Sequence, residues 1–255
     1  MIKLDVESLD VMLNKSEPPI KEIIGSGILI EESKAVLYGV FKGGKTTLLQ
    51  YIALCCAEGL PLFGDSKRFP TLPSIVFYVQ MEIPRKAFKK RLGASSLSNS
   101  TVVRTNFHTT TVFWLKIDKE DGVAVLEEEV KRLQPDVVII DPFYKVISGS
   151  ENSTEDIERV TDQLDLLIEQ HHFALIVSAQ ARKNLIVPKS GAPIDLGDQE
   201  LRGSTGIPAW VDTIIGLRRN AGNRRNLNFT LRHGDEESLN VTVAFDKKTG
   251  LYSVV

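Results

Sequence analysis

The stretch Gly39-Val40-Phe41-Lys42-Gly43-Gly44-Lys45-Thr46 fits the pattern G-x-x-x-x-G-K-[ST]. Each fixed residue type has a chemical reason. Glycines let the backbone curl so that successive N–H groups point at phosphate oxygens, and a following helix adds its positive end. A lysine at the position of Lys45 gives a point charge to β- and γ-phosphates, and the Thr46 hydroxyl can ligate Mg²⁺. Gly39, Gly43, Gly44, Lys45, Thr46 and the adjoining Thr47 are therefore candidates for holding a nucleotide with its magnesium ion. Lys42 lies inside the loop and either reaches a phosphate or stays in solvent, the ordinary place for a loop lysine.

Three polar residues at the ends of apolar runs could complete such a site. Asp141 closes the run DVVIID at 136–141. In a phosphate-loop protein, a carboxylate there stands where Mg²⁺ or its water needs a negative partner. An aspartate before a proline, here Pro142, is also a common turn device. Glu82 follows the run SIVFYVQ and either accepts a proton from a water attacking the γ-phosphate or caps the chain ahead of Pro84. Gln180 ends the run ALIVSAQ. It either senses the γ-phosphate through its amide or is simply a polar strand end.

The elements that must position these residues follow from periodicity. The sequence predicts strands over 35–39, 74–80, 136–141 and 173–178, with weaker candidates at 101–104 and 112–117. Helices are expected over 45–57, 84–92, 119–133 and from Thr154 to about His171, with Glu155 and Asp156 favouring the last one's N-terminal dipole. The residues 181–204 hold Gly, Pro, Asn and Asp without period, and a loop of that length inside a compact domain is usually functional or mobile. Strands at 213–217, 227–232, 239–245 and 251–254 close the chain, with Lys248-Thr249-Gly250 as a hairpin turn. The expected class is α/β, a mostly parallel sheet flanked by helices with antiparallel strands at the C-terminal edge. Residues 1–19 are polar, end in Pro18-Pro19 and read as an N-terminal arm to one domain over 20–255.

Composition narrows the function classes. The chain has 255 residues, is 42% hydrophobic and carries 31 basic against 33 acidic side chains, a formal charge of -2. That excludes a histone-like polycation, although a local basic patch fits inside a neutral total. No apolar run approaches a membrane span, and residues 1–11 lack a charged-then-apolar signal segment, so a cytoplasmic protein without a membrane partner is expected. The two cysteines, Cys55 and Cys56, are adjacent in an apolar run and suit buried thiols, not a disulfide framework.

The order of loop, Glu82, Asp141, Gln180 and the segment RGSTGIPAWVDTIIGL resembles the RecA-like ATPases, in particular the branch of plasmid RepA hexameric replicative helicases. The resemblance runs from about Pro18 to Tyr252. It implies a RecA-like core with ATP and Mg²⁺ as ligands, Glu82 as catalytic base, Asp141 on the metal side and Gln180 as sensor. It also implies that Arg232 reaches a neighbouring subunit's ATP, with Arg218 and Arg219 competing for that role. A homo-oligomer, a hexamer in that branch, would thread single-stranded DNA past two loops. In this chain those loops carry Lys145 and, further on, Arg182, Lys183, Lys189 and Arg202. The alternative is a regulatory ATP-binding switch that controls a protein partner and never translocates.

Overall fold

The computed structural model describes residues 6–151, 153–181 and 206–255. A six-residue helix, α1 (Leu9–Asn14), has no buried residue and is capped by the Ser8 hydroxyl. A small hairpin follows, β1 (Glu22–Ile24) with β2 (Leu29–Ile30). The chain then alternates strands and helices: β3 (Lys34–Gly39), α2 (Lys45–Glu58), β4 (Val76–Gln80), α3 (Arg85–Gly93) and α4 (Thr101–Asn106). Next come β5 (Phe107–Thr111), α5 (Glu120–Leu133), β6 (Val137–Asp141), α6 (Thr154–His171) and β7 (Ala174–Gln180). After α7 (Gly206–Trp210) the remaining elements are strands, β8 (Thr213–Arg219), β9 (Arg224–Leu231), β10 (Ser238–Asp246) and β11 (Leu251–Val254).

Nine strands form one sheet in the order β11-β10-β9-β8-β3-β7-β6-β4-β5. Pairing is parallel from β8 through β3 to β5 and antiparallel from β8 to β11. The α/β class expected from the sequence is the one observed. Period-2 alternation divides the core between two faces. Ala35, Leu37, Val137 and Ile139 join α2 on one side. Val36, Tyr38, Val138 and Ile140 meet α6 on the other, with the α5 residues Leu126 and Val130. Helix α2 is buried from Leu48 to Ala57, which is why its sequence carries no polar stripe there. Helix α6 instead buries Ile157, Val160, Thr161, Leu164, Leu167 and Ile168, one stripe at helical spacing. No helix among the described residues is long and apolar enough to cross a membrane.

Two strand expectations are corrected. The β-branched run at 101–104 is the helix α4, because the Ser100 hydroxyl accepts from Val103 N–H as an N-cap and Val103 packs into the core beside α2. The segment 112–117 is not a strand. Val112 N–H makes a last bond to Gln80 O, and the chain then leaves the ladder to hold the loop that follows β6. Lys116 Nζ donates to the carbonyls of Lys145 and Ile147, both at 2.7 Å. Ile117 N–H donates to Val146 O at 2.9 Å, and the Asp118 carboxylate accepts from the Ser148 backbone and hydroxyl. Leu115 and Ile117 are buried as an alternating strand would bury them, so the pattern is real and the partner is a loop.

This strap sets a steric test. Gly122 lies in α5, where alanine is ordinarily the better helix former. A Cβ on Gly122 would stand 1.8 Å from the Lys116 carbonyl oxygen. Gly122→Ala is therefore expected to destabilise by about 1–3 kcal/mol, the usual overpacking cost. Thermal melting checks this; a raised Tm would mean that the strap yields freely.

Candidate active site

The phosphate loop leaves the buried strand β3 and enters α2 with Lys42 at φ 57° and Gly44 at φ 105°. Gly44 is the helix N-cap and has no side chain to block the N-terminal amides. Only glycine takes its φ without strain. Gly43 N–H closes a turn onto Val40 O at 2.9 Å. Lys45 Nζ donates to Gly39 O at 2.8 Å and Val40 O at 3.2 Å, so the ammonium lies folded over its own loop. Burial lowers the Lys45 pKa, while the charges of Asp141 and Glu82 oppose that shift. Those two carboxylates are thus close enough for their fields to reach the ammonium.

Asp141 is 2% exposed and carries three donors. Ser178 Oγ donates to Oδ1 at 2.5 Å, and Tyr78 OH to Oδ2 at 2.8 Å. Gln80 Nε2 makes a longer contact with Oδ2 at 3.4 Å. Burial first, then the Asp141 charge, push the Tyr78 phenol well above its ordinary pKa, so it remains a donor. All three donors to this carboxylate are neutral, which leaves its negative charge available to a cation in the cleft. Among the described residues no group of three or more His, Cys, Asp or Glu side chains could hold a metal by itself. One hydroxyl, one carboxylate and the substrate's own phosphates are the ligand set that suits Mg²⁺, and Thr46 with Asp141 fits it.

The Gln80 side chain has a second task. Its Oε1 accepts from Glu82 N–H at 2.6 Å and Ile83 N–H at 3.0 Å, so it shapes the turn that carries Glu82. Glu82 itself is exposed at the cleft. Register explains the convergence: Gln80 pairs with Asp141, and Gly39 pairs with Gln180 on one side and Leu217 on the other. The carboxyl ends of β3, β4, β6, β7 and β8 therefore share one edge, the usual place for ligands on an open α/β sheet.

A cleft of about 390 Å³ opens at that edge. Lys42, Gly43, Gly44, Lys45, Thr46 and Thr47 line it together with Glu82, Asp141 and Gln180. Gly39 contributes through its carbonyl under Lys45. Arg232 lies elsewhere. It pairs with Asp212 at 2.9 Å, and Asp212 N–H donates to Lys34 O at the start of β3. Five residues of strand, about 17 Å, separate that end from the loop. Arg219 lines the same chain's cleft, and its guanidinium donates to Lys42 O. Lys145 lies beyond Asp141 with its carbonyl held by Lys116 and its ammonium 5.5 Å from the Tyr144 ring centre. Arg182, Lys183, Lys189 and Arg202 lie outside the described residues. Sequence reading missed Tyr78, Gln80, Ser178 and Arg91 around the cleft. A signal was present for Gln80 alone, in its spacing of two residues from Glu82.

A phosphate loop running from the middle of this sheet into a buried helix, with acidic groups at neighbouring strand ends, places the chain in the class of RecA-like P-loop ATPase folds. The AAA domain family model matches residues 3–185, and the chain belongs to that family. One solved ATPase domain is similar in structure at 16% identity, with a TM-score of 0.65 over 88% of this chain and 85% of that one. A KaiC-like protein from Pyrococcus horikoshii OT3 aligns at 13% identity and a TM-score of 0.63, covering 91% and 93% of the two chains. The flagellar accessory protein FlaH from Methanocaldococcus jannaschii aligns at 16% identity and 0.57, covering 91% and 92%. At these identities the likeness is one of fold. No curated protein sequence matches the chain.

Proposed function

We propose that the chain is an ATP-hydrolysing module that works in a homo-oligomer as a nucleotide-dependent switch on a protein partner. The observation that carries this reading is the meeting of Lys45, Thr46, Glu82, Asp141 and Gln180 on one cleft. Lys45 leaves its loop carbonyls for the β- and γ-phosphate oxygens of ATP. Glu82 takes the proton of the attacking water as the γ-phosphoryl group passes to that water and ADP leaves. Thr46 and Asp141 would hold Mg²⁺, which offsets phosphate charge when bound. Gln180 faces the cleft and directly precedes the segment from Ala181 onward, so an amide contact with the γ-phosphate would report occupancy to that segment.

Arg232 supports an oligomer in this reading. It lies about 17 Å along the strand from its own phosphate loop and is over half exposed, so its catalytic partner would be a neighbouring chain. One structural neighbour is named an accessory protein, which accords with a switch.

A second reading is the ring-forming motor on single-stranded DNA implied by the resemblance to RepA-type helicases. It is favoured by one observation: β6 and β7 are parallel neighbours, so the chain beyond Asp141, with Lys145, and the chain beyond Gln180 leave from the cleft edge. Turnover per chain as a function of protein concentration tests the assembly. It is expected to rise, and Arg232→Ala is expected to remove the rise while ATP still binds. Flat turnover in both proteins would overturn the oligomeric reading. At a saturating concentration, single-stranded DNA is expected to leave the rate unchanged. Stimulation that disappears when Lys145, Arg182, Lys183, Lys189 and Arg202 become alanine would favour the motor instead.

A further inference from the structure

Among the described residues the sheet ends at β5, whose outer edge pairs with no further strand. Beside that edge a groove of about 350 Å³ opens. Phe77 and Val79 of β4, Val125, Leu126 and Leu133 of α5, and Trp114 of the strap line it. Trp114 is 59% exposed, and Val125 and the adjacent Phe113 are exposed as well. An apolar groove at an open sheet edge invites another chain.

The same chain carries an apolar segment left in solvent. Every residue from 6 to 20 is exposed. Val6, Leu9, Met12 and Leu13 recur at helical spacing, forming one stripe on α1 and just ahead of it. Six residues are too few for a helix to hold itself in water, so α1 calls for a surface to lie on. Its own domain does not supply that surface. Lys15 Nζ lies 3.7 Å from the carboxylates of Glu7 and Glu17, which ties the arm to itself. Pro18 and Pro19 stiffen the stem by fixing φ. Lys21 Nζ then roots the stem on Asp136 at 2.5 Å, at the start of β6.

We propose that α1 of one chain lies in the groove between β5 and α5 of a second copy, so that the arm joins neighbouring subunits. The proposal rests on the homo-oligomer of the proposed function and names the surface that builds it. Area supports a second copy as the occupant. The apolar arm side chains Val6, Leu9, Val11, Met12, Leu13 and Ile20 together remove roughly 500 Å² from water when buried, at ~80 Å² each. The groove loses a similar area. Reciprocal exchange of two arms then buries about 2,000 Å², enough for a stable pair, which needs about 1,200–2,000 Å². A helix offering an i, i+3, i+7 stripe to an apolar groove is a recurring mode of recognition. Trp114 belongs to the strap whose Lys116 holds the carbonyls of Lys145 and Ile147. A docked arm therefore rests on the segment that braces the loop beyond Asp141.

The experiment is sedimentation velocity of the full chain across a range of concentrations, with circular dichroism to check the fold. Two variants carry it, Leu9→Asp combined with Leu13→Asp on the arm, and Val125→Glu in the groove. All three side chains are exposed, so the fold is expected to survive both changes. Each variant is expected to raise the concentration for half-association by ~10-fold or more, the scale of a lost interface anchor. Mixing the two variants brings one intact arm to one intact groove and is expected to restore pairs that neither forms alone. Association of both variants at the wild-type concentration would overturn the proposal and leave the oligomer to other surfaces. Loss of association in each, with nothing restored on mixing, would overturn the pairing of arm with groove. A wild type that stays monomeric throughout would sink the homo-oligomer and this proposal with it, while binding of Mg-ATP, measured separately, would keep the nucleotide site.

Discussion

Glu82→Gln is expected to bind ATP as wild type does and to turn it over at least ~100-fold more slowly, the usual span for a lost general base. The reason lies in what the substitution leaves alone. Glu82 is placed by its backbone, because Gln80 Oε1 holds the N–H groups of residues 82 and 83. A glutamine at 82 keeps that turn and nearly the same shape, and loses only the ability to accept a proton. The phosphate loop and Asp141 carry the substrate, so affinity has no cause to fall. Rapid-quench turnover beside equilibrium binding separates the two quantities. A Glu82→Gln variant that hydrolyses ATP at the wild-type rate would remove this residue from the mechanism. Gln80→Leu makes a useful companion, because it releases the turn and one donor to Asp141 while leaving the Glu82 carboxylate intact.

The parts of the site that the sequence announces are those fixed by local geometry. The loop from Gly39 to Thr46 needs its residue types at fixed spacing, and the run ending in Asp141 marks a strand covered on both faces. What surrounds Asp141 depends instead on register between distant segments. Tyr78 and Ser178 lie 63 and 37 positions from it and meet it only because β4, β6 and β7 are adjacent. Nothing in the local sequence distinguishes that serine from any other strand serine. The misread segments have the same origin. The run at 101–104 has strand propensity, but a serine cap and burial of Val103 outweigh a preference worth a fraction of a kcal/mol per residue. The alternation at 112–117 does report burial, and burial against a loop has the same period as burial against a strand.

Lys45→Met is expected to remove most of the stabilisation by ATP while leaving the ligand-free protein at least as stable as wild type. Burial lowers the Lys45 pKa from its usual 10.5, and the attraction of Asp141 and Glu82 only partly opposes this. The sign follows from linkage. Between the lowered native pKa and 10.5 the unfolded chain binds more protons than the folded one, so stability rises with pH across that interval. Below the interval both forms are protonated and the whole penalty is present. Methionine keeps the length of the stem and removes the charge. The carbonyls it abandons remain satisfied, since Gly39 O still accepts from Ala181 N–H at 3.1 Å and Val40 O from Gly43 N–H at 2.9 Å. Asp141 retains Tyr78, Gln80 and Ser178. With ATP at 100 times its dissociation constant, wild type gains about 2.7 kcal/mol. For a chain of this size that corresponds to roughly 5–10 °C in Tm. The variant is expected to keep only about 0.4 kcal/mol of that gain, since an affinity about 100-fold weaker, the scale of a lost charged contact, puts the same ATP concentration at its dissociation constant. Melting curves with and without Mg-ATP read both quantities. A ligand-free Lys45→Met protein melting well below wild type would show that the ammonium is a structural brace for the loop, and retained stabilisation by ATP would place the phosphates somewhere other than over Lys45.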